Sequence, residues 1–156
     1  DLPINSSRNI GFGSGVGYSY GVFIQNMKIL ENSSEVEIAT DYSVNRFRIH
    51  SVEAPIEFRW RTSTPSKYKF WRVYGGVKFA YSFSMSSKFS NDIETIETKN
   101  IQEFNQFQSG LFVSAGYSTW NLYIYYGLTP LFDELKLNNQ NLNLKEINIG
   151  LKFYIM

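Results

Sequence analysis

The chain has 156 residues, enough for one domain with a substantial core, and 15 basic against 14 acidic side chains leave a net charge of +1. That balance excludes a broad electrostatic attraction to nucleic acid, and the absence of cysteine excludes disulfides and thiolate metal sites. Aromatic residues make up 17%, with 13 Phe and 11 Tyr, which suits sheets and interfaces, and no stretch approaches the roughly 18 apolar residues of a transmembrane helix.

The opening DLPINSSR has the composition of a turn. From Asn9 the chain alternates: Ile10, Phe12, Val16, Tyr18, Tyr20, Val22 and Ile24 fall on one register, with Gly11, Gly13, Gly15, Gly17, Ser19 and Gly21 on the other. Successive residues of a strand point to opposite faces, so this predicts one bulky apolar face and one nearly bare. Next, Val52, Ala54, Ile56, Phe58 and Trp60 alternate with Glu53, Pro55, Glu57, Arg59 and Arg61. Trp71, Val73, Val77, Phe79, Tyr81 and Phe83 alternate with Arg72, Tyr74, Gly76, Lys78, Ala80 and Ser82. The pattern recurs at Leu111, Val113, Ala115 and Tyr117, at Trp120, Leu122, Ile124, Tyr126 and Leu128, and at Ile147, Ile149, Leu151 and Phe153. About six long strands are predicted, centred near residues 18, 54, 77, 111, 125 and 150, in a single domain spanning 1–156.

The predicted connections run long, short, long, short, long, at about 29–45, 62–68, 86–104, 118–119 and 132–143. In an up-and-down meander the three long ones gather at one end, and the short turns gather at the other with the C-terminus. Short turns on one side and long loops on the other describe an outer-membrane barrel. A soluble barrel of the lipocalin kind gives the same period with its faces inverted. Three features favour the membrane: the glycine-rich face suits a crowded lumen, the apolar faces carry almost no charge, and aromatics gather at the short-turn end. Phe58, Trp60, Phe70, Trp71, Tyr117 and Trp120 form that expected interfacial girdle.

Glu53, Glu57, Arg59, Arg72, Tyr74 and Lys78 share the polar face of two strands joined by a short turn, and are expected to form a paired polar network in the lumen. With the hairpin centred near Pro65 and Ser66, residue i pairs with about 131 − i. That places Arg72 opposite Arg59, Lys78 opposite Glu53 and Tyr74 facing Glu57. An alternative makes Glu53 and Glu57 the acid/base pair of a lipid-modifying enzyme, although no nucleophile accompanies them. His50, the only histidine, reads as a rim residue near a strand end, and with no second His or Cys no metal or other cofactor is expected. GFGSGVG runs on into strand, where a nucleotide fingerprint needs a helix.

The segment VEAPIEFRWRTSTPSKYKFWRVYGGVKFAYSFSMSSKF resembles the PorT family of outer-membrane β-barrel proteins of Bacteroidetes. The likeness rests on Pro followed by Glu-Phe-Arg-Trp-Arg at residues 55–61, the Ser-Thr-Pro turn at 63–65 and the Phe-Trp-Arg-x-Tyr-x-Gly run beginning at Phe70. The opening DLPINSSRNIGFGSGVGYSY, GYSTWNLYIYYGLTPLF and the terminal INIGLKFYIM are similar to other parts of the family pattern. Asn148, Gly150, Phe153 and Ile155 also resemble a C-terminal outer-membrane assembly signal, with Met156 one residue beyond the usual end. The resemblance implies an all-β, antiparallel, eight-stranded transmembrane barrel, with an N-terminal hairpin preceding Asp1. It implies a non-enzymatic accessory or scaffold in an envelope complex, with outer-membrane lipid and other envelope proteins as partners. The family's founding member is implicated in type IX protein secretion. The implied orientation puts long loops outside the cell and the short turns and C-terminus in the periplasm.

Overall fold

In the computed structural model, residues 2–24, 26–29, 36–38, 40–62, 70–99, 101, 104–133, 136–137, 140–141 and 143–153 are described. Among these residues thirteen strands occur in chain order: β1 (Leu2–Pro3), β2 (Ile10–Ser14), β3 (Gly17–Ile24), β4 (Met27–Ile29), β5 (Val36–Ile38), β6 (Val44–Arg61), β7 (Trp71–Ser90), β8 (Thr95–Lys99), β9 (Phe107–Tyr117), β10 (Trp120–Gly127), β11 (Lys136–Leu137), β12 (Gln140–Asn141) and β13 (Ile147–Phe153). Nine of them make one antiparallel sheet along the path β1-β2-β6-β7-β9-β10-β13, with β3 also on β6 and β8 also on β7. The pairs β4–β5 and β11–β12 are separate small hairpins within long connections.

Because β2 and β3 share one column beside β6, and β8 and β9 share one beside β7, the six long strands read from the alternation become six columns plus the short β1. The split between β2 and β3 has a local cause. Both pair with β6 on the same register, as in Ser14 with Ile56 and Gly17 with Glu53, so the lapse at Gly15 and Val16 falls opposite Pro55 and Ala54. Proline has no N–H to give the ladder.

The path is open: among the described residues β1 lies at one end and β13 at the other, whereas the expected architecture is a closed eight-stranded barrel. The sheet nevertheless curls. Lys78 of β7 places its Nζ 4.2 Å from the Tyr125 ring of β10, and Lys152 of β13 lies 5.6 Å from the Phe112 ring of β9. Each contact passes over an intervening strand, which a flat sheet with strands about 4.8 Å apart does not favour.

The β6–β7 pair is the longest ladder. Its register is 133 − i, as in Arg61 with Arg72, two residues from the 131 − i expectation. Arg72 therefore faces Arg61, Tyr74 faces Arg59, Gly76 faces Glu57 and Lys78 faces Pro55. A two-residue slip keeps every side chain on its face, so the face assignment survives the correction. The turn at 63–69 that sets this register lies outside the described residues.

The register breaks once, where His50 pairs with Ser84 and Ser51 with Ser82, leaving Phe83 as the extra residue of a bulge. Beyond it the odd positions of β7 change sides, so Met85 and Phe89 are buried while Phe83 is exposed. They join a core at the long-loop end made of Phe47, Ile49, Met85, Ile101, Phe104 and Phe132, with Phe23, Leu131 and Leu144 packed against it. The rings of Phe47, Phe104 and Phe132 meet with centroids 5.5 to 5.9 Å apart.

Candidate functional site

The two faces of the sheet decide between the barrel readings. Glu57, Arg72, Ser82, Gln108, Ser114 and Asn121 are buried, while Ile56, Phe58, Trp71, Leu111, Leu122, Ile149 and Leu151 are exposed. A soluble ligand-binding barrel would have the opposite arrangement. No charged residue occupies the outward register of residues 52–60, 71–83, 107–117, 120–128 or 147–153. Exposed apolar surface of this extent marks contact with something other than water.

Strand β6 shows where that contact stops. Its outward positions are Val52, Ala54, Ile56, Phe58 and Trp60 in one half, but Arg46, Arg48 and His50 in the other. Its inward positions change oppositely, from Glu53, Glu57 and Arg59 to Phe47 and Ile49. Polarity inverts along one uninterrupted strand. At the boundary, the Tyr18 hydroxyl and His50 Nδ1 are hydrogen-bonded at 2.6 Å, and Tyr20 and Phe83 flank the His50 ring with centroids 4.8 and 6.3 Å away. Tyr81 and Phe107 stand exposed on the neighbouring strands. This second aromatic belt escaped the sequence reading, which placed His50 near a strand end, whereas β6 continues for six residues beyond it.

At the short-turn end Trp60, Trp71, Tyr117 and Trp120 are exposed; Trp71 packs on Tyr117 at 5.4 Å and Trp120 on Phe153 at 4.6 Å. Phe70 does not join them, because its ring lies 4.6 Å from the Arg72 guanidinium and shares the inward phase of β7. Ten residues separate Trp60 from His50. At about 3.3 Å per residue and a tilt of about 40–45°, that is about 24 Å of height, the thickness of the apolar band of outer-membrane barrels.

The inward polar residues form two groups. Arg59 Nε donates to Glu57 Oε1 at 2.6 Å, its Nη2 pairs with the same oxygen, and its guanidinium lies 5.3 Å from the Tyr74 ring. Separately, Lys78 Nζ donates to Glu53 Oε1 at 2.8 Å and covers Tyr125. The expected Lys78–Glu53 pair thus forms, but diagonally. Glu53 and Glu57 are four residues apart, about 13 Å along a strand, and each holds its own cation, a wider separation than carboxylates that flank one reacting bond as acid and base.

Sequence reading also omitted Lys152, which lies 5.5 Å from the Tyr123 ring, and the buried hydrogen bond between Ser51 and Ser82 at 2.8 Å. Asn148 donates to Glu146 at 2.6 Å, Asn148 and Gly150 pair with Tyr125 and Tyr123, and Phe153 pairs with Trp120. Ile155 lies outside the described residues.

The bare glycine register is only partly crowded. A methyl at Gly13 would strike the Arg59 guanidinium, but Gly15, Gly17 and Gly150 have nothing within 4 Å of a Cβ position. On the same inner face an open trough of about 340 Å³ is lined by residues that include Ser19, Glu53, Lys78, Phe112, Tyr123 and Asn148. Among the described residues no cluster of three or more His, Cys, Asp or Glu side chains could hold a metal ion.

Neither the curated proteins nor the solved structures gave a match to the chain. A family model does match, over residues 1–133, and its description agrees with the outward apolar band, the two aromatic belts and the polar inner face. The chain therefore belongs to the outer membrane protein beta-barrel domain family.

Proposed function

We propose that this non-enzymatic outer-membrane barrel domain is a closed-off scaffold of the PorT type, an accessory component of an envelope complex serving type IX protein secretion. The observation that carries the scaffold reading is the polarity inversion of β6: an apolar band meets lipid, and an apolar core occupies the concave side just past its edge. A barrel so filled anchors and presents its loops, and does not conduct. The PorT assignment is supported by the motifs at residues 55–61 and from Phe70, and by nothing in the polar groups themselves. In this reading the long connections that carry β4, β5, β11 and β12 face outward from the cell and meet partner proteins, and the short turns face the periplasm. The terminal Asn148, Gly150 and Phe153 serve assembly.

The test is a strain lacking the chain. Loss of secreted cargo from the cell surface, restored by the wild-type gene, supports the secretion role. Normal cargo export with the protein absent overturns it and leaves the barrel assignment standing. Pull-down from native outer membranes then identifies the partners.

A further inference from the structure

Above the belt of Tyr18, Tyr20 and His50, the outward face becomes basic in two adjacent rows. In the nearer row Arg48 stands between Val22 of β3 and Ser86 of β7, and Ser86 pairs with Lys99 of β8. In the next, Arg46 stands between Ile24 and Lys88, and Lys88 pairs with Glu97. Directly paired residues share a face, so all four cations point outward together. Among the described residues Glu97 is the one carboxylate on these rows, and none of the four cations is held in an ion pair. An independent observation concerns Arg46, whose Nε is buried without a hydrogen-bond partner. A guanidinium N–H withdrawn from water and left open lacks its acceptor.

We propose that these rows bind the headgroup of a membrane lipid bearing several phosphates. The inference rests on the bilayer-spanning reading of the apolar band, and assigns that band's edge a ligand. The belt fixes the depth at which hydrocarbon ends, and headgroup phosphates lie just above it. The exposed apolar surface directly below the belt, including Val52 and Tyr81, takes the acyl chains. Arginine forks match phosphate oxygens in pairs, and lysines add point charge. The rows lie about 7 Å apart, and Arg48 and Lys99 about 10 Å apart, by strand geometry. That spread exceeds one phosphodiester and suits the separated phosphates of a phosphorylated glycolipid.

The experiment reconstitutes the protein into phosphatidylcholine nanodiscs containing a minor fraction of either diphosphoryl lipid A or phosphatidylglycerol, and counts bound lipids by native mass spectrometry. Wild type should retain lipid A preferentially. Retention should fall roughly tenfold in the variant combining Arg46→Gln, Arg48→Gln and Lys88→Gln, the loss expected on removing charge-assisted contacts. Single Arg46→Gln and Lys88→Gln variants, each weakening retention partially, guard against misfolding of the triple variant. Insertion without lipid A enrichment, or equal enrichment by wild type and variants, overturns the site while leaving the membrane reading intact. Equal retention of phosphatidylglycerol overturns the assignment to a multiply phosphorylated headgroup. Failure to insert into any disc overturns both.

Discussion

Lys78 reaches Glu53 diagonally across the β6–β7 ladder, and the two side chains are only 13% and 24% exposed. Removing one partner leaves the other charge facing a poorly hydrated interior, which for a buried pair costs about 3–5 kcal/mol. Lys78→Met should therefore lower the thermal unfolding temperature, with a cost toward the lower end of that range because water still reaches Glu53. Glu53→Gln in the same chain should recover part of the loss; strictly additive effects would show that the pair is not coupled. A second residue is constrained by backbone alone. A methyl at Gly76 would collide with the Ile56 carbonyl oxygen and the Glu57 Cα, neither of which can rotate away. Gly76→Ala should destabilise by about 1–3 kcal/mol in chemical denaturation, whereas Gly17→Ala, in open space, should not. The inward position of these residues was legible in the alternation. Their partners were not, because a two-residue shift preserves faces and alternation carries no information about turn length.

The strands β6 and β7 are 18 and 20 residues long, about twice what a tilted strand needs to cross hydrocarbon. Only the half of each nearer the short turns has the lipid-facing pattern. Val77 lies within that half of β7, and Val113 lies beside it on β9, both on the outward register, so Val77→Arg or Val113→Arg should cost roughly 2–4 kcal/mol of folding free energy in vesicles. The same positions, labelled with a bilayer-restricted quencher or spin label, should report lipid contact; a water-like signal at both would refute the outward register. The inversion on β6 is written plainly in the sequence, since Arg46, Arg48 and His50 continue the register of Val52 and Trp60. On β7 it is concealed. Phe83 and Met85 look like consecutive members of one face until the bulge puts them on opposite sides, and one extra residue in a serine-rich run leaves no compositional mark. The division of β2 from β3 was foreseeable from Pro55 only once the pairing partner was known.

Taken whole, the molecule combines a polar inner face that holds the Glu57–Arg59 and Glu53–Lys78 ion pairs with an apolar core at the long-loop end. Planar-bilayer recordings of the reconstituted protein should accordingly show no stable open state, and a steady porin-like conductance would contradict the filled interior. All-β class, strand order and the uneven lengths of the connections were available from periodicity, because local alternation and meander topology fix them together. The core of Phe47, Ile101, Phe104 and Phe132 was not, since it joins β6 to residues from two long connections with no periodicity of their own. The height of the apolar band has a mechanical corollary. A barrel cannot lean to shorten its profile as a single helix does, and here the outward charge at Arg48, just past His50, forbids it to sink into the bilayer from that side. The lipids must do the adjusting. In a bilayer thicker than about 24 Å the surrounding acyl chains would have to compress, at a fraction of a kcal/mol per ångström of mismatch. Two molecules would then lower that strain by sharing one ring of compressed lipid, so clustering would be driven by membrane thickness alone, without any protein contact between them.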